Sequence, residues 1–130
     1  MRLLIAVSLF VLLVVLACES TETPVNQATP KAAAQGFLDA LKAEDFDLAA
    51  KYVAASSKES LQNFQTNLKM VGEEERKTLL EAYKVPVKSI DCVEQQGNTN
   101  CKLTYQPEGE GMLNLVQQED KWFVQMEFDY

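Results

Sequence analysis

VKSIDCVEQQGNTNCKLTYQ, residues 87–106, is the stretch that decides the fold. Val87 to Glu94 and Thr99 to Gln106 read as two strands, and Gln95, Gln96, Gly97 and Asn98 between them read as a turn, so the whole is a hairpin. Facing residues of an antiparallel pair have numbers with a constant sum, here 193. That register sets Cys92 against Cys101 and Ile90 against Leu103 on one face, and Asp91 against Lys102 on the other as a favourable cross-strand charge pair. Directly facing residues have Cα atoms about 4.5 to 5.5 Å apart, within the reach of a disulfide. Cys92 and Cys101 are therefore expected to be bonded, and closing so short a loop contributes about 2.5 to 3 kcal/mol in chain-entropy terms. Redox or metal roles for the pair lack support, because there is no Cys-x-x-Cys spacing and no His.

Downstream of the hairpin the alternation continues. Met112 to Gln118 and Lys121 to Tyr130, joined through Glu119 and Asp120, pair with a sum of 239, which places Leu115 against Val124, Leu113 against Met126 and Asn114 against Gln125. Trp122, Val124, Met126, Phe128 and Tyr130 form an apolar row to the end of the chain. Upstream the period is helical. Thr29 and Pro30 form a helix start, followed by Ala33, Ala34, Phe37, Leu38 and Leu41 on one face to about Ala43. Asp45 caps a second, shorter helix with Phe46, Ala49, Ala50 and Val53 inward. Ser56 and Glu59 form a capping box for a third, which buries Leu61, Phe64, Leu68 and Val71 and ends at Gly72. Glu73, Glu74 and Glu75 suit the positive end of a fourth helix carrying Leu79, Leu80 and Tyr83. The expected architecture is α+β: three to four N-terminal helices packed on a curved antiparallel sheet of about four strands.

The amino terminus is of another kind. Met1 and Arg2 precede an apolar run from Leu3 to Ala17, interrupted only by Ser8, and then come Cys18, Glu19, Ser20 and Thr21. Fifteen residues rise about 22 Å as a helix, short of the roughly 30 Å hydrocarbon layer, so the run suits a signal-peptide core and not a membrane span. Val15, Leu16, Ala17 and Cys18 resemble the lipobox of bacterial lipoproteins. That resemblance implies cleavage before Cys18, diacylglycerol on its sulfur and an acyl group on its amine, enough chains for stable anchoring. Glu19 is not the aspartate that retains many enterobacterial lipoproteins in the inner membrane, which for a Gram-negative cell points by analogy to the outer membrane, facing the periplasm, rather than the inner membrane. Residues 1–17 are thus read as leader, 18–29 as lipidated cysteine and flexible tether, and 30–130 as one domain. Taking Cys18 for lipid leaves the remaining cysteines as an even pair.

Composition limits the partners. The chain of 130 residues is 47% hydrophobic and 24% charged, with a formal charge of -7 and no Lys/Arg cluster, which argues against nucleic acid and against a basic patch on anionic lipid. Membrane attachment is left to the lipid on Cys18.

Pro30 to Tyr52, with Phe37, Leu38, Ala40, Leu41, Asp45, Phe46, Ala49, Ala50 and Tyr52, together with the ending Glu119, Asp120, Lys121, Trp122, Phe123 and Val124, resembles the domain of unknown function 4878. That is a family of small exported bacterial proteins in the cystatin-like, nuclear-transport-factor-2-like superfamily. Its usual glycine before the aspartate is Glu44 in this chain. The resemblance implies helices wrapped on a curved sheet with a cone-shaped hollow between them, and it implies no activity.

Enzymes of that superfamily place Asp, His or Tyr in the hollow. Without His the commonest base near neutral pH is missing. Tyr52, Tyr83, Tyr105 and Tyr130 could turn hydroxyls inward, and Asp45 or Asp91 could serve as a base, but the two aspartates have structural readings as a helix cap and a cross-strand partner. Nucleophile-elbow, phosphate-loop and metal-ligand patterns do not occur. No catalytic residue, cofactor or metal is expected. The expected function is a noncatalytic binding domain for an envelope protein or a small apolar ligand; the alternatives are a small-molecule enzyme with a pocket acid, and an immunity or inhibitor lipoprotein.

Overall fold

A computed structural model describes residues 24–128. Cys18, the leader and Tyr130 lie outside the described residues. The Thr29 hydroxyl accepts from the Ala32 N–H at 3.1 Å. Pro30 takes the first position of α1 (Pro30–Lys42), where a missing N–H leaves nothing unpaired. Ala33, Ala34, Phe37, Ala40 and Leu41 are its buried stripe. α1 ends in a Schellman turn: Glu44 N–H donates to the Leu41 carbonyl at 3.0 Å and Asp45 N–H to the Ala40 carbonyl at 2.9 Å. Glu44 adopts the left-handed conformation that this motif gives to glycine, φ 56°. The Asp45 carboxylate accepts from Leu48 N–H at 3.0 Å, capping α2 (Phe46–Tyr52) as expected.

α3 (Ala55–Met70) starts differently from its expected capping box. Ala54 is its N-cap and no side chain caps it. The start is fixed from outside the helix, by the Ala54 N–H donating to the Val124 carbonyl at 2.7 Å. α4 (Glu73–Glu81) carries all three glutamates in its first turn, exposed where the helix dipole favours negative charge.

β1 (Val87–Gln95), β2 (Asn98–Tyr105), β3 (Glu110–Gln118) and β4 (Lys121–Gln125) form an antiparallel meander in chain order. The expected register holds from Ser89 to Gln95, with Ile90 on Leu103, Asp91 on Lys102 and Cys92 on Cys101. The two cysteines are disulfide-bonded, with Cα atoms 4.0 Å apart. At Val87 the register slips by one: Val87 pairs with Tyr105, so Lys88 is an extra residue in a bulge. β3 and β4 pair as expected through Leu115–Val124 and Asn114–Gln125, around a turn in which Glu119 and Asp120 both have positive φ, 50° and 62°. The expected Leu113–Met126 pair does not form. β4 stops at Gln125, and the N–H groups of Met126 and Phe128 donate to the hydroxyls of Ser57 and Ser60 at 3.0 and 2.8 Å. The chain leaves the sheet there because α3 offers it acceptors and Phe128 a buried place, 3% exposed.

The outer edge of β4 is covered by the segment expected as free tether. Trp122 N–H donates to the Gln27 carbonyl at 3.0 Å, while the Gln27 side-chain amide donates to the carbonyls of Trp122 and Lys51 at 2.9 and 3.2 Å. Val25 packs on the core. The folded unit therefore includes residues from Val25 on, ahead of Pro30. α1 lies across all four strands on one face of the sheet, α2 and α3 pack beside it against β4, and the opposite face, with Val93, Asn100 and Asn114, is exposed to solvent. The architecture is α+β, with the core between the helices and one face of the sheet.

Close contact between α1 and α2 depends on Gly36: a Cβ there would stand 2.3 Å from the Tyr52 hydroxyl oxygen. Phe37, Phe46, Phe64, Tyr83 and Phe128 form an aromatic cluster in the core, with ring centroids 5.1 to 6.1 Å apart for the contacting pairs.

Candidate functional site

The second half of α1, the linker of residues 82–87 and the adjacent ends of β2 and β3 enclose a hollow of about 230 Å³. Its floor is apolar and fully buried, from Phe37 and Leu41 of α1 and Leu103 and Leu113 of the sheet. Helical spacing brings 37, 38 and 41 to one face of α1, and strand alternation brings Leu103 and Tyr105 to the same face of β2. The Gln106 N–H donates to the Pro86 carbonyl at 2.9 Å and fixes the linker against the end of β2. The Tyr105 ring lies over Gly111, where a Cβ would stand 2.6 Å from its hydroxyl oxygen, so the glycine makes room for this wall.

Met112, 62% exposed, borders this hollow from β3 but pairs with Lys102, so its side chain projects from the solvent face of the sheet; exposed Val85, at 37%, and Pro86 stand at the opening. Leu38 and Met126 are half-buried beside them. Polar groups stay at the rim. Gln35, Asp39 and Lys42 are all exposed, and the Gln35 amide donates to the Asp39 carboxylate at 2.9 Å. Lys42 has no ion pair among the described residues.

Every described carboxylate is exposed except Glu44, which is half-buried away from the hollow. Glu44 accepts from Lys84 Nζ at 2.9 Å and Arg76 Nη2 at 3.1 Å. These hydrogen bonds, first from Lys84 and then from Arg76, hold its carboxyl below the ordinary value, against a weaker opposing effect of burial. The open concavity around them holds Glu44, Glu73 and Glu81 with Arg76, Lys77 and Lys84, so its charges balance.

The residues weighed as catalytic from sequence do not come together. Tyr52 is buried between α1 and α2 and its hydroxyl accepts from Asn26 N–H at 3.4 Å. Asp45 caps α2. Asp91 is exposed, faces Lys102 as expected and accepts from the Ser89 hydroxyl at 3.2 Å. Tyr83 and Tyr105 do reach the hollow. Val85 and Met126 were not legible as site residues; the sequence signal for Val85 is an apolar residue to which neither register nor helical period assigns a buried partner. Among the described residues no three His, Cys, Asp or Glu side chains are grouped to hold a metal ion, and no helix is long and apolar enough to cross a membrane. No known family model, curated protein or solved structure matches the chain.

Proposed function

We propose that this chain is an envelope lipoprotein, anchored by lipid on Cys18, whose domain binds a small apolar ligand in the hollow without catalysing its conversion. The observation that carries the binding reading is an apolar floor of Phe37, Leu41, Leu103 and Leu113 left open between Leu38, Val85 and Met126. Apolar side chains grouped at a concave opening are what a ligand covers. Methionine suits such walls because its thioether chain adapts to the shape it meets. Binding is favoured over catalysis because the one carboxylate lining the hollow among the described residues, Asp39, is exposed at the rim and accepts a hydrogen bond from Gln35, away from the apolar floor.

The anchor reading rests on Val15 to Cys18 and on the even pair left by it. It also gives the hollow a direction. Residues 25–27 join the fold beside Trp122 and Lys51, ahead of α1, whereas the hollow is built on the second half of α1. A helix of 13 residues is about 20 Å long. The hollow therefore lies toward the end of the domain away from the anchor, open to the aqueous compartment.

Two measurements test the proposal. The intact mass of the chain isolated from bacterial membranes should equal residues 18–130 plus a diacylglyceryl and an acyl group, and a free Cys18 thiol would overturn the anchor. An environment-sensitive apolar dye should bind the same protein about tenfold more weakly after Met126→Glu, because its burial would strip water from an unpaired carboxylate. Equal dye binding by the two proteins would overturn the hollow as the site.

A further inference from the structure

The segment after β4 contributes to the hollow in a way that its alternating sequence conceals. Met126 lines the hollow, and Phe128 lies one layer further in. The Phe128 ring meets Phe37 edge-on at 6.1 Å, Tyr83 at 5.9 Å and Phe64 in a stack at 5.6 Å. Phe37 and Tyr83 are themselves walls of the hollow. Phe128 thus fills the space directly behind that inner wall. It is held there by backbone donors on side-chain acceptors, Met126 N–H on Ser57 and Phe128 N–H on Ser60, and not by the sheet ladder, which ends at Gln125.

We infer that residues 126–128 are a plug, and that the Phe128 ring sets the depth of the hollow and with it the length of the apolar ligand admitted. This rests on the reading of the hollow as a binding site. The ligand class that fits is an unbranched alkyl carboxylate, its chain against Leu38, Leu103 and Met126 and its head at the rim beside Lys42, the cation there without an ion pair among the described residues. At about 30 Å³ per methylene-sized group, the share one water takes in the liquid, a volume of 230 Å³ admits seven or eight carbons. Removing the Phe128 ring would open on the order of 100 Å³ more, in the size class of engineered apolar cavities that take up benzene.

The test uses the full lipidated chain in lipid nanodiscs, with methionine methyl groups labelled for NMR and titrated with straight-chain carboxylates of six to fourteen carbons. In the unsubstituted protein the Met126 signal should respond most strongly to about eight carbons, the length set by the volume above. In Phe128→Ala the optimum should move at least two carbons longer, with the twelve-carbon acid gaining about fivefold over the eight-carbon acid. Phe128→Leu should give an intermediate optimum, and it carries the test if the alanine variant does not fold. An unchanged length optimum in a folded variant overturns the plug while leaving the hollow standing. Absence of any response at Met126 to every length, in all the proteins, overturns the hollow reading and the plug with it.

Discussion

Glu44 separates two effects of opposite sign, and a pair of substitutions measures each. Its φ of 56° puts a side-chain-bearing residue in a conformation that glycine adopts freely. A non-glycine residue there costs about 1 kcal/mol. Against that, its carboxylate joins Lys84 and Arg76, tying the end of α1 to α4 and to the linker that walls the hollow. Side-chain exposures are 34% for Glu44, 36% for Lys84 and 43% for Arg76, so solvent screens both pairs, and together they contribute no more than about 0.5 to 1 kcal/mol. Glu44→Ala keeps the backbone conformation and loses the pairs, so it should be less stable than the unsubstituted chain by about 0.5 to 1 kcal/mol. Glu44→Gly loses the pairs and the strain together, and should lie within about 0.5 kcal/mol of the unsubstituted chain and about 1 kcal/mol above the alanine variant. Urea unfolding followed by circular dichroism reads these differences as midpoints at constant slope. The pH dependence follows from the lowered carboxyl of Glu44. A carboxyl held lower in the folded state stabilises fully above its unfolded value, near 4.5, and the contribution disappears as pH falls through the folded value. In acid the gap between the unsubstituted chain and Glu44→Ala should therefore close, while the gap between the glycine and alanine variants persists. If glycine and alanine prove equally stable, the left-handed turn is not strained. A first gap that stays constant into acid would mean the ion pairs contribute nothing.

Other substitutions follow from single contacts. The Thr99 hydroxyl is buried without a hydrogen-bond partner among the described residues, so Thr99→Val should raise stability by about 1 kcal/mol in the same urea assay, and a loss would reveal a partner. Gly36→Ala drives a methyl into the Tyr52 ring and should destabilise by about 1 to 3 kcal/mol, with part of the loss recovered when Tyr52→Leu is added; strict additivity of the two changes would refute the contact. Both central residues of the β3–β4 turn have positive φ, the type I′ geometry that favours Asn-Gly. Glu119→Asn with Asp120→Gly should raise the thermal midpoint by the equivalent of about 0.5 to 1 kcal/mol.

Hairpin register was legible because several facing pairs had to agree at once. Ile90–Leu103, Asp91–Lys102 and Cys92–Cys101 admit one alignment, and the structure keeps it. The register slips only at Lys88, where the bulge carries no sequence mark of its own. Helices α1 and α2 were legible because Thr29 and Asp45 satisfy their own first turns locally. α3 was misplaced because its start is decided by the distant Val124 carbonyl, and Ser56, read with Glu59 as a capping box, lies in a stretch whose other serines, Ser57 and Ser60, hold the tail. The tail itself was misread because a period of two describes any extended chain; the alternation of Val124, Met126 and Phe128 does not say whether the partner is a strand or a pair of hydroxyls. Gln27 was taken for tether because a polar residue that caps an open strand edge looks in sequence like any other polar residue. The hollow was the least legible feature. It is the volume left between elements, and Leu38, Val85 and Met126 meet there from three separate parts of the chain.

The domain as a binder of small apolar ligands is tested most directly by its own methionines. Apart from Met1 the chain holds Met70, Met112 and Met126. Met126 lines the hollow and packs on the core, whereas Met112 projects beside Lys102 from the other face of the sheet and Met70, at 78% exposure the most open of the large apolar side chains described, ends α3 away from it. Methyl NMR of the protein titrated with an eight-carbon carboxylate should move Met126 in saturable fashion and leave Met70 unmoved. Three signals that shift together without saturating, or a response at Met70 alone, would contradict the account.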